Sequence, residues 1–211
     1  MTKRNTRSWF SIGSMASLQL ITYPHPTLRH RSKPIVRVDA RLKELVGEMF
    51  EIMYESRGVG LAANQVNLPI RLFIANPSGD KEEGPELVFI NPVINRAKGA
   101  VEAEEGCLSL PGINADVKRN KSLCVNAYDL NGNEINVEVS GFLGRIVQHE
   151  IDHLDGVLFI DRLTEELRSP ISEQIQAFET MFETRQKSGD VAPNEALLAQ
   201  LVEWEQKYCG S

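Results

Sequence analysis

An α+β fold, with antiparallel strands and helices kept in separate blocks, is what this chain of 211 residues predicts. Apolar residues recur at helical spacing in three places, short β-rich runs follow the first of them, and Asn131-Gly132 joins two of those runs as a hairpin turn would.

In chain order, Leu42, Leu45, Val46, Met49, Phe50 and Met53 form one amphipathic stripe between an Asp39 cap and Gly58. Residues 70–76, 86–91, 122–128 and 134–139 read as strands, the last two flanking the Asn-Gly pair. A second helix is expected from near Gly141 to Gly156. Two more are marked by Ile171, Ile175, Phe178 and Phe182, and by Leu197, Leu201, Trp204 and Tyr208, with residues 187–193 as a hinge.

The second helix carries His149-Glu150-Ile151-Asp152-His153. Residues four apart share one helix face, so His149 and His153 can grip a single ion, with Glu150 about a quarter turn round and close to an ion-bound water. The third ligand is open between candidates. Phe159 stands where a metzincin-like site would carry its third His, and phenylalanine cannot ligate. Glu173 lies where a thermolysin-like zinc peptidase could draw a carboxylate. Upstream, Cys107 sits in Glu104-Glu105-Gly106-Cys107-Leu108-Ser109-Leu110-Pro111, among turn residues and beside two acids, a setting that suits a thiolate on a positive centre better than a core thiol. A purely structural zinc site would fill its fourth position with Cys or His, and only His25, His30, Cys124 and Cys209 remain.

Three motifs in order, Gly58-Val59-Gly60-Leu61-Ala62-Ala63-Asn64-Gln65, Glu105-Gly106-Cys107-Leu108-Ser109 and Gln148-His149-Glu150-Ile151-Asp152-His153, resemble those of the peptide deformylases. The likeness runs from about Leu18 to Leu163 and includes Tyr23-Pro24-His25-Pro26. It implies antiparallel sheets wrapped around the metal-binding helix, and removal of the formyl group from the formyl-methionine of new polypeptides. It further implies that Cys107, His149 and His153 hold one divalent ion, ferrous iron before zinc, nickel or cobalt, with water in the fourth position. Glu150 would move the proton, while the Gln65 amide and the Leu108 backbone N–H would meet the negative oxygen. Val59, Gly60, Gly106, Phe142 and Ile146 match positions around the substrate, with Phe142 and Ile146 seven and three residues before His149. Where some family members carry an arginine that holds the peptide main chain, this chain has Asn114.

With 42% hydrophobic residues, the chain is long enough for one well-filled core and too short for two ordinary enzyme domains. We expect an N-terminal extension over 1–16, a catalytic domain over 17–163 and a helical extension over 164–211 packed on it. Three cysteines are no disulfide framework, so a reducing compartment is expected. No run approaches the ~18 apolar residues of a membrane span, and no signal-peptide pattern is evident, so a soluble cytoplasmic enzyme is expected. Lys3, Arg4 and Arg7 among Ser and Thr resemble an organelle transit peptide only faintly, and Met15 offers a second start.

Residues 1–38 hold seven Lys or Arg and no acid, while the remainder has 16 basic and 29 acidic residues and nets −13. Such a basic arm could approach ribosomal RNA where formylated chains emerge. Residues 171–211, with seven acids against three bases, are a poor nucleic-acid surface, and their apolar stripe is expected to fold back on the body or to join a homodimer.

Overall fold

The computed structural model describes residues 18–210; the expected N-terminal extension, with its basic residues, lies outside them. Helix α1 (Ala40–Glu55) forms where the spacing places it, and its first turn is closed by the Asp39 carboxylate accepting from the Leu42 N–H at 2.8 Å. All six residues of its predicted stripe are buried.

A five-stranded antiparallel sheet in the order β1-β2-β3-β6-β7 holds β1 (Gly60–Ala62), β2 (Leu72–Ala75), β3 (Leu87–Lys98), β6 (Ser122–Tyr128) and β7 (Glu134–Ser140). The hairpin between β6 and β7 turns where Asn-Gly predicts it: Gly132 takes φ 81°, and the Asp129 carboxylate accepts from the Asn131 and Asn133 N–H groups. Strand β3 runs seven residues beyond its expected end at Asn91. Asn91 and Arg96 adopt left-handed φ of 52° and 49°, so the strand passes Pro92 through irregular register instead of stopping there. Two strands were not expected at all: β4 (Val101–Gly106) and β5 (Asn114–Arg119) pair as a separate ribbon. Their charged, exposed faces give no apolar alternation to read.

Helix α2 (Gly141–Leu154) runs from the end of β7 into the body, and every residue from Gly144 to Leu154 is buried. It is packed on the sheet by Ile146, Val147, Ile151 and Leu154, which share a core with Phe73, Phe89, Leu123 and Val125. Helix and sheets therefore stand as the resemblance implies. Beyond it come a short α3 (Glu165–Arg168), α4 (Ser172–Ser188) and α5 (Asn194–Tyr208). The stripe of α5 folds back on the body. Leu197, Leu201 and Tyr208 are buried, the Tyr208 carbonyl accepts from the Val36 N–H at 2.8 Å, and Glu205 pairs with Lys33 and His30 at 2.6 and 2.7 Å. No helix among the described residues is long and apolar enough to cross a membrane.

Candidate active site

Four segments deliver the site. Helix α2 supplies His149, Glu150 and His153; the turn after β4 supplies Cys107 and Leu108; β1 and the 3-10 turn after it supply Gly60 and Gln65. The ligand atoms of Cys107, His149 and His153 all lie within 4.8 Å of one another, with the Cys107 Sγ 3.2 Å from the His153 Nε2. One thiol and two imidazoles on a rigid helix fit a borderline or soft divalent ion and leave room for a fourth, non-protein ligand. Of the candidates for third ligand, Cys107 is the one that stands with the two histidines. Glu173, the alternative, is exposed in the first turn of α4 and takes no part in the cluster.

Charge around the cluster is arranged for a positive centre. Burial disfavours a charged His149, yet the Cys107 thiol and the Glu105 carboxylate outweigh it and raise the imidazole pKa well above 6.5. His153 is pushed well below it, first by burial and then by His149. The Glu105 Oε2 lies 3.0 Å from the His149 Nδ1, which leaves the other ring nitrogen free for the cluster. Burial alone would raise Glu105, but hydrogen bonds from Arg119 and His149 hold its carboxyl well below the ordinary range. Arg119 binds Glu105 in a fork, both contacts 2.8 Å, and also donates to Asp152, which accepts from Arg162 as well. Arg145 adds a 2.7 Å contact to Glu105.

Glu150 is 4% exposed, its Oε2 has no hydrogen-bond partner among the described residues, and burial raises its carboxyl to about 7. A carboxyl so placed can hold or release a proton near neutrality. Gln65 is fixed at both ends of its amide: Oε1 accepts from the Ala62 N–H at 2.8 Å, and Nε2 points to the Ser109 Oγ at 3.2 Å and the Cys107 Sγ at 3.6 Å.

Gln65, Glu105, Cys107, Leu108, Arg145, His149 and Glu150 open onto one cavity of about 630 Å³, which is also lined by Val59, Gly60, Gly106, Phe142 and Ile146; His153 does not line it. Phe142 is 56% exposed and forms an apolar lip, whereas Ile146 is buried deeper. The glycines of the first motif serve close approach: a Cβ on Gly58 would stand 2.7 Å from the Leu108 Cδ1. Asn114 stands opposite Gly106 in the ribbon and does not line the cavity.

Residues 17–169 match the family model described as Polypeptide deformylase. The chain belongs to the polypeptide deformylase family. A peptide deformylase of Rhodopirellula baltica is 52% identical over 193 residues, covering 92% of this chain and 96% of that protein. A peptide deformylase 1B of Arabidopsis thaliana, named chloroplastic/mitochondrial, is 42% identical and matches 83% of this chain and 64% of its own length. Among solved structures, a mutant of that Arabidopsis deformylase superposes with a TM-score of 0.78 at 41% identity, covering 82% of this chain and 93% of the other. The deformylase of Thermotoga maritima gives 0.66 at 37%, covering 71% and 99%. This deformylase is therefore a hydrolase of formyl-methionyl polypeptides and uses a catalytic metal, and the peptidase alternative falls.

The residues behind the ligands escaped sequence reasoning. Arg119 and Arg145 carried a signal in retrospect: Arg119 occupies an inward position of β5 two residues after buried Val117, and Arg145 sits one helical turn before His149 on a buried face. A buried guanidinium demands a carboxylate partner, and Glu105 was the acid at hand.

Proposed function

We propose that Cys107, His149 and His153 hold one divalent metal ion and that Glu150 carries the proton in hydrolysis of the formyl–nitrogen bond. The gathering of one sulfur and two imidazole nitrogens beside a partnerless buried carboxyl carries this reading. When bound, such an ion supplies Lewis acidity, acidifying water and polarising the formyl oxygen.

Glu150 accepts the proton of the attacking water and returns it to the departing amine. The Gln65 Nε2 amide and the Leu108 N–H, which has no hydrogen-bond partner among the described residues, donate to the oxygen that becomes negative. The edge strand β1 offers its free side to an extended peptide, a grip that reads backbone and not sequence. That grip matters here because Asn114 lies outside the cavity. Ile146, Val59 and Phe142 give the formylated methionine an apolar seat, with Gly106 also in the lining.

Ferrous iron is the working ion in this reading, with zinc, nickel or cobalt able to replace it, since the donor set accommodates all four. The substrates are N-formylated nascent chains, met close to the ribosome, and the protein acts in the cytoplasm as a monomer. Two features support this: the three cysteines are free, and the stripe of α5 is consumed within the chain. Residues 17–163 form the catalytic unit, and 164–211 buttress it.

Formate release from a formyl-methionyl dipeptide tests the reading. The native protein should release formate, and a chelator or Glu150→Gln should stop it. Undiminished release by the Glu150→Gln protein would overturn the role of Glu150.

A further inference from the structure

We propose that Arg145 is a positioning residue that locks the Cys107-bearing ribbon to the His149-bearing helix, so that the three ligand atoms stand gathered before any ion arrives. The proposal rests on the metal-site reading above. Cys107 and the two histidines come from separate elements, and something must hold the ribbon in place against α2. Few apolar contacts can do so, because most of β4 and β5 is charged and exposed.

Beside the Arg119–Asp152 pair and the Gln148 contacts to Asn120, Arg145 provides the link that reaches both strands of the ribbon. It lies on α2 four residues before His149, is 9% exposed, and spends its guanidinium wholly on the ribbon. Nη1 donates to the Glu105 Oε1 at 2.7 Å and to the Val117 carbonyl at 2.9 Å, with the Ala103 carbonyl at 3.3 Å; Nη2 donates to the Val101 carbonyl at 3.2 Å. One planar fork therefore spans both strands of the ribbon and the carboxylate that orients the His149 ring. Glu105 in turn lies two residues before Cys107. Lysine, with one nitrogen on a flexible stem, cannot reproduce contacts in these separate directions.

The consequence is a preassembled ligand set, and the prediction concerns affinity for the ion before activity. Partners of metal ligands typically change metal affinity ~10–100-fold when removed. Zinc binding to metal-free full-length protein, measured by competition with a chromophoric chelator, should be ~10–100-fold weaker in Arg145→Met, with an intermediate loss in Arg145→Lys. In cobalt-substituted protein, the sulfur-to-metal absorption band should weaken or shift in the same order. A merely structural role would lower the melting temperature of Arg145→Met while leaving zinc affinity and the cobalt spectrum of the folded fraction unchanged, and that result overturns the proposal. Should Arg145→Met not fold, Arg145→Lys decides alone: native zinc affinity in it is equally contrary. Cys107→Ala is the control for the underlying reading. If native protein and Cys107→Ala bind zinc alike, the site assignment itself fails; if only Arg145→Met matches the native protein, the positioning role alone fails.

Discussion

Gly60 and Glu150 occupy each other's space. A Cβ built on Gly60 would stand 2.5 Å from the Glu150 Oε1 and 2.8 Å from the Ile146 Cγ2, so glycine lets the edge strand lie against the carboxyl proposed to carry the proton. Gly60→Ala must push Glu150 or the strand aside, and a displacement near 1 Å costs on the order of 100-fold in rate. We expect kcat/KM for a formyl-methionyl dipeptide to fall by about that factor in a folded protein. Native kcat/KM in Gly60→Ala would show that the contact has no catalytic meaning.

Gln65 offers a test confined to the transition state. Its amide is held at both ends in the ground state, so it is pre-aimed and need not reorganise. Gln65→Ala should lower kcat by about 100- to 1,000-fold, or ~2.7–4 kcal/mol, with a smaller change in KM. Steady-state kinetics at saturating substrate would decide it, and a loss confined to KM would count against the oxyanion role.

The pH dependence of stability follows from His25, which is not among the three candidate ligands. Burial lowers its imidazole from 6.5 to about 4, and its Nδ1 accepts from the Thr27 N–H, as the neutral ring requires. The unfolded chain therefore binds the proton more readily than the folded one. This contribution is complete above pH 6.5 and is lost as pH falls from there toward 4, amounting to about 2 kcal/mol between pH 7.5 and 5. Urea unfolding of the native protein and His25→Gln at those two pH values should give a smaller drop for the variant. Equal drops would contradict the assignment.

The C-terminal helix is expected to stabilise without taking part in the chemistry. Tyr208 is fully buried in the core formed by α1 with Ile35, Ile70 and Leu72, and its hydroxyl reaches Asp39, the cap of α1. Tyr208→Ala should cost about 3–5 kcal/mol by analogy with other buried aromatics, and lower Tm by roughly 10 °C. Formate release at 25 °C should stay native. A melting temperature unchanged in calorimetry would mean that α5 is dispensable.

Much of this was legible because periodicity and punctuation are local. The stripe of α1, the Asn-Gly hairpin and the His149–His153 face each follow from spacing alone. The order of three motifs added Cys107, which spacing by itself left in competition with Glu173. The ribbon of β4 and β5 was missed because its residues are exposed and charged, leaving the alternation signal blank. The lattice of Glu105, Arg119, Arg145 and Asp152 was missed for a different reason: it is a tertiary arrangement between residues 14 to 40 positions apart, and the inward positions of its two arginines do not by themselves say which carboxylates they meet.

Metal content is the most direct measure of the central claim that one thiolate and two imidazoles share a single ion. Protein purified without oxygen should carry close to one equivalent of a transition metal, iron foremost, and Cys107→Ala prepared alongside should carry almost none. Native protein devoid of transition metal, or a Cys107→Ala protein that retains the full equivalent, would contradict it.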